Sequence, residues 1–229
     1  MNRIFLHLNA ILSVLICTWT LSAQDYDTSS YAPLTKGMVL KYNNLDSDGK
    51  VSSSYVITIK EVEGTFAKGR IVMHQEFFDN NGTPLFKDNN VPMEVITGGK
   101  NTVTKLDDAG KIMKVQDMMS KGDASSIPAT LKTGTTIPDG IVEINIGMVS
   151  AKILTSERKV TDAREISTPA GKFKCFMIEE NQCTKTIVSK NETVKTWYAK
   201  GIGCVKQEVY DKKGRLTNTQ VLQSISFTE

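Results

Sequence analysis

The chain has 229 residues, with 28 Lys and Arg against 25 Asp and Glu and a formal net charge of +3. Charge so nearly balanced, with no Lys/Arg stripe interleaved with aromatics, leaves no electrostatic footprint for nucleic acid. Two histidines and four cysteines, widely scattered, argue against a structural zinc centre.

The first element is an address. MNRIFLHLNAILSVLICTWTLSAQDY carries one basic residue, Arg3, an apolar run from Ile4 to about Leu21 and a small residue at Ala23. That is the layout of a secretory signal peptide, with cleavage expected between Ala23 and Gln24. His7, Asn9, Ser13 and Thr18 interrupt the run, no charge cluster stops it and no second apolar stretch follows, so a transmembrane anchor is disfavoured. Val14, Leu15 and Ile16 stand before Cys17 where a lipoprotein processing site wants a small residue. Residues 24–229 are therefore expected to form one exported β-rich domain, periplasmic or associated with the outer membrane. They keep Cys175, Cys183 and Cys204, an odd count that allows at most one internal disulfide.

Downstream, a turn recurs. LDSDGKV (45–51), FDNNGTP (78–84), LDDAGKI (106–112) and YDKKGRL (210–216) all read apolar, Asp, two variable residues and Gly before returning to strand-like sequence. An Asp side chain accepts from backbone N–H groups further along such a turn, and Gly supplies the positive φ that closes it, so each is a hairpin signal. Asp46, Asp48 and Gly49 resemble the start of a calcium loop, but the remaining ligands and the distant glutamate are lacking.

Between the turns the sequence alternates. Met38, Leu40 and Tyr42 share one face of MVLKYN; Tyr55, Ile57 and Ile59 share one face of SYVITIKEV; Ile71, Met73 and Phe77 are in step in RIVMHQEFF. Residues 116–136, QDMMSKGDASSIPATLKTGTT, break the pattern and read as a loop or short helix, the best place for a junction or flap. TTIPDGIVEINIG resumes it. From Gly171 onward the chain reads as an antiparallel meander.

The search for chemistry finds little. No nucleophile elbow, metalloprotease helix, C-x-x-C pair or phosphate-cradling glycine loop is present. His74 is the only histidine after the signal and sits in RIVMHQEFF out of phase with Met73 and Phe77, on an expected solvent face. Asp107/Asp108 and Glu179/Glu180 are adjacent pairs, so on strands their side chains point to opposite faces and neither pair converges on a substrate; they read as solvated charges. The sequons at Asn81 and Asn191 fall at expected turns. No catalytic residue, cofactor or metal site is expected.

The stretch WYAKGIGCVKQEVYDKKGRL (197–216) reads as strand, bulge and hairpin rather than a ligand loop. Trp197 and Tyr198 project to opposite faces, one into a core and one near an edge or pocket, and are the candidate surface or pocket residues. With a turn at Lys190-Asn191, Cys175 falls opposite Lys206, Cys183 opposite Tyr198 and Cys204 opposite Met177. Gly201 and Gly203 mark an expected bulge. Cys175 and Cys204 are then near enough for a possible disulfide, although both also suit a core as small residues.

TPAGKFKC (168–175) together with WYAKGIGCVKQE (197–208) resembles exported Bacteroidota proteins of the "domain of unknown function 3108"-like group, also labelled TapB-like. LKTGTTIPDG (131–140) and KGMVLKY (36–42) are similar to that group as well, and Cys204 departs from its more usual aliphatic residue. The resemblance implies a mainly β fold: a twisted, barrel-like antiparallel sheet, a half-barrel in the style of lipocalins or lipoprotein carriers, with no enzyme activity. The label implies association with a tetratricopeptide-repeat protein. Two functions compete: a non-enzymatic carrier of an apolar small molecule, and an envelope assembly protein that binds another protein through a strand edge or turn face.

Overall fold

In the computed structural model of the chain, the residues described are 31, 33, 35–65, 68–85, 89–98, 103–106, 127, 131–146, 149–186 and 188–228. Eleven strands account for most of them: β1 Met38–Leu45, β2 Val51–Thr65, β3 Lys68–Asp79, β4 Val91–Gly98, β5 Val103–Leu106, β6 Gly140–Ile146, β7 Val149–Thr168, β8 Gly171–Lys185, β9 Ser189–Ala199, β10 Gly203–Asp211 and β11 Leu216–Phe227. All lie in one antiparallel sheet in the order β5-β4-β3-β2-β1-β11-β10-β9-β8-β7-β6. This is two meanders, β1–β5 and β6–β11, joined where the first strand pairs with the last. The outermost strands are β5 and β6, so the sheet is not closed, and the mainly antiparallel β fold expected from the sequence is the one observed. Among the described residues no helix is long and apolar enough to cross a membrane. The signal segment, the Asp107-containing turn and Met118 lie outside them.

The repeated turn is built the same way three times. Asp46 Oδ1 accepts from the N–H groups of Asp48 and Lys50, both at 2.9 Å. Asp79 does so from Asn81 and Thr83 at 2.8 Å, and Asp211 from Lys213 and Arg215 at 2.8 and 3.0 Å. Gly49, Gly82 and Gly214 follow at φ 76°, 78° and 73°, the left-handed backbone that side chains disfavour. The Asp46 oxygen is thus occupied by backbone donors, which accounts for the motif without calcium. Asn81 is exposed in its turn, whereas Asn191 lies within β9 rather than at a turn.

The expected strand faces are buried. Met38, Leu40 and Tyr42 are 6%, 0% and 1% exposed, and Tyr55, Ile57 and Ile59 are 1%, 3% and 0%. Tyr42 stacks on Tyr55 with ring centroids 4.8 Å apart, and its hydroxyl donates to the Cys204 carbonyl at 2.8 Å. That bond ties the first meander to the second. The main core continues through Met73 and Phe77 to Leu222, Val205, Trp197, Met177 and Ile153.

In β7–β10 the buried side of the sheet changes along the strand. β8 buries Cys175 and Met177, then Ile178, Glu180, Gln182 and Thr184, which is the opposite phase. β9 makes the same change between Thr196 and Trp197, the partners of Ile178 and Met177. β-Bulges at the same level, in β7 between Ser156 and Lys159 and between Val160 and Asp162, and in β10 between Cys204 and Lys206, bend the sheet there.

Candidate functional site

Across the buried face runs a row of polar side chains. Ser53, Asn44, Gln220, Gln207 and Thr196 are successive cross-strand partners on β2, β1, β11, β10 and β9. Each is at most 9% exposed. Asn44 Nδ2 donates to Ser53 Oγ at 2.9 Å, Gln207 Nε2 to Thr196 Oγ1 at 3.0 Å and Gln220 Nε2 to Cys204 Sγ at 3.5 Å. Sequence reading passed over them because they are hydrophilic. The signal was phase: Asn44 is in step with Tyr42, Gln220 with Leu222, and Gln75, itself 1% exposed, with Met73 and Phe77.

The first β7 bulge carries a buried ion pair. Glu157 and Arg158 occupy the span of a single residue opposite Glu180, and Glu157 has φ 55°, the only positive φ outside glycine among the described residues. Arg158 is thereby turned inward. Its Nε donates to Glu180 Oε2 at 2.9 Å, with the two side chains 4% and 10% exposed. Burial raises the Glu180 carboxyl above its ordinary range, and Arg158 only partly offsets this. Glu179 and Glu180 do point to opposite faces as expected, but the reading of both as solvated charges is corrected for Glu180. The bulge, invisible to periodicity, is the cause.

Residues 131–139 are held on the same bulge. Gly134 N–H donates to the Val160 carbonyl at 2.7 Å, Val160 N–H to Thr135 at 2.9 Å and Ile137 N–H to Arg158 at 2.8 Å. Arg158 Nη1 donates to the Pro138 carbonyl at 3.0 Å and Glu157 N–H to Asp139 Oδ1 at 3.2 Å. Leu131 and Ile137, with Tyr31 and Ile127, form a second apolar cluster over Val160 and Ile178. Phe176 and Tyr198, cross-strand partners, pack against it and remain half-buried.

Trp197 and Tyr198 face opposite ways, as anticipated. Trp197 is 2% exposed in the main core, with Lys206 Nζ and Arg164 Cζ 5.1 and 5.8 Å from its ring centroid. Tyr198 belongs to the rim of the second cluster. His74 sits half-buried between Thr58 and Pro92 on neighbouring strands.

The cysteine register is corrected. The β8–β9 hairpin turns around Thr186 to Val188, not at Lys190-Asn191, and pairs Cys175 with Ala199 and Cys183 with Asn191. Cys204 pairs with Tyr198, so β9 lies between the strands bearing Cys175 and Cys204. Two strand spacings are about 9.6 Å, beyond the Cα reach of a disulfide. Cys175, Cys183 and Cys204 are all free thiols, and the Cys175–Cys204 bridge is not formed. Burial pushes the Cys175 thiol up to about 12. Gly201 lies in the β9–β10 turn and Gly203 opens β10 opposite Ala199, and the bulge falls just after them, at Cys204 to Lys206.

Comparison with known proteins agrees with this architecture. A family model described as DUF3108-like matches residues 35–222. A protein of Bacteroides fragilis regarded as exported and assigned a YmcC-like fold superposes with a TM-score of 0.66 at 20% identity, over 86% of this chain and 99% of that one. A protein of Parabacteroides distasonis regarded as a lipoprotein gives 0.66 at 17% identity, over 87% and 100%. No curated protein matches the chain.

Proposed function

Because the chain belongs to the DUF3108-like family, we propose that it is an exported envelope protein acting, without catalysis, as a binding or carrier module for an apolar ligand. The apolar signal-like segment at its N-terminus supports export, as does the description of the two structural neighbours as an exported protein and a lipoprotein.

One observation carries the binding role: the half-buried aromatic pair Phe176 and Tyr198 beside buried Val160 and Ile178. The main core is a poor place for a ligand, since Tyr42, Tyr55, Leu40, Ile59 and Met73 are each below 2% exposed and already fill it. An aromatic rim over an apolar floor is where an apolar molecule gains most by leaving water. Native mass spectrometry of the protein isolated from its envelope, before and after organic extraction, tests the reading. Extra mass that extraction removes, and that Tyr198→Ser diminishes, is the expected result; a bare chain at both stages overturns it.

A second reading, an assembly protein that pairs through a strand edge, is favoured by the open sheet, whose outer strands β5 and β6 have no further strand beside them among the described residues. A co-isolated polypeptide in the same spectra would favour it. Association with a tetratricopeptide-repeat protein is the form of partner that the TapB-like label suggests.

A further inference from the structure

We propose that residues 131–139 form a strap that docks and undocks as a unit on the β7 bulge, closing the apolar patch of Val160, Ile178, Phe176 and Tyr198. The attachment is narrow. Leu131 and Ile137 are its buried side chains, while Lys132, Thr133, Gly134, Thr136, Pro138 and Asp139 are exposed. Against β7 it makes no continuous ladder: its backbone bonds are the three of Gly134, Thr135 and Ile137 with Val160 and Arg158, around the isolated bridge of Thr136 with Lys159. Beyond the strap, β6 and β7 pair continuously from Gly140↔Thr155 to Ile146↔Val149. A short segment held by two buried side chains and a few bonds to one strand, with most of its residues exposed, opens locally at lower free energy than the continuous ladder beside it.

The receiving site is built for this segment. The left-handed backbone at Glu157 turns Arg158 inward, where one guanidinium bonds both the Glu180 carboxylate and the Pro138 carbonyl. Arg158 therefore holds the strap with one nitrogen while its charge is balanced by β8 with another. Undocking removes the Pro138 contact and leaves the ion pair intact, so opening does not strand a buried charge. Ile137 is the hydrophobic bolt: its N–H bonds the Arg158 carbonyl and its side chain lies with Val160 and Ile178. Tyr31 joins the closure through its hydroxyl oxygen, which accepts from the Leu131 backbone N–H, and through an edge contact to Phe176, with centroids 6.2 Å apart. The strap thus links the region before β1 to the aromatic rim.

Hydrogen–deuterium exchange on the full mature protein, resolved by residue, tests the strap, with N-phenyl-1-naphthylamine fluorescence as a probe of the patch. The Gly134 and Ile137 amides are expected to exchange at least ~10-fold faster than the core amides of β8 and β9. Ile137→Ala should accelerate them further and raise dye binding several-fold, leaving β1–β11 exchange unchanged, and Tyr198→Ser in that background should reduce the dye signal. If the wild-type strap amides exchange only with the slowest core amides, the strap does not open on its own and the inference fails. It fails equally if Ile137→Ala speeds strap exchange without raising dye binding. The inference goes beyond the carrier reading, because wild-type exchange reports opening even where native mass spectrometry finds no bound ligand.

Discussion

Arg158 and Glu180 meet at 2.9 Å across β7 and β8, and their side chains are 4% and 10% exposed. Removing one partner leaves the other charge buried and uncompensated. Glu180→Gln or Arg158→Met alone should lower unfolding stability by about 3–5 kcal/mol, measured by urea denaturation. The double variant Arg158→Met/Glu180→Leu should recover most of that loss, because apolar replacements abolish the desolvation of both charges.

The same pair sets a pH signature. Glu180 is raised above its ordinary 4.5, by burial first and despite Arg158. The native state then binds a proton that the unfolded chain has released. The contribution of this group is fully present below the unfolded value and lost as pH rises through the folded one. The stability of wild type relative to Glu180→Gln should therefore fall as pH is raised from 4 towards neutrality. A difference that grows with pH would show that Arg158, rather than burial, dominates.

Asp211 has the opposite sign. Its side-chain bond to Arg215, with the backbone bond from the same residue, holds its carboxyl down to about 2 from 3.8. Its contribution is present above the unfolded value and is lost as pH falls through the folded one. The acid unfolding midpoint of Asp211→Ala should move to higher pH than that of wild type, with the difference vanishing at the lowest pH. Circular dichroism through an acid titration measures this.

Tyr42 joins the two meanders twice, by stacking on Tyr55 and by its bond to the Cys204 carbonyl. Tyr42→Phe keeps the ring and loses the hydrogen bond, for about 1–2 kcal/mol. Tyr42→Ala also empties the site and should cost about 3–5 kcal/mol. Equal losses in the two variants would mean that the ring contributes little.

Thiol chemistry checks the strand order. Native alkylation should reach half-buried Cys183 first and spare Cys175, whose thiol is buried and pushed up to about 12. In denaturant without reductant, Cys175, Cys183 and Cys204 should all be modified. A pair that resists until reduced would contradict the placement of β9 between Cys175 and Cys204.

Local physics made much of this protein legible in its sequence. The Asp-x-x-Gly turns were readable because each closes with its own Asp oxygen and glycine, and the faces of Leu40, Tyr42, Ile57, Ile59 and Met73 were readable because a strand alternates with period two. The TPAGKFKC and WYAKGIGCVKQE segments were enough to suggest the family. Tertiary structure decided what depends on register and curvature. The bulge that admits Glu157 and Arg158 opposite Glu180 follows no period, and it alone turns Arg158 inward. The position of the β8–β9 turn, a few residues before the one predicted, moved every partner of Cys175 and Cys183. The polar row from Ser53 to Thr196 needs five strands in register before its members meet. A strand side chain takes its face from the sequence, but its partner comes from another strand far along the chain, and only the folded sheet brings them together.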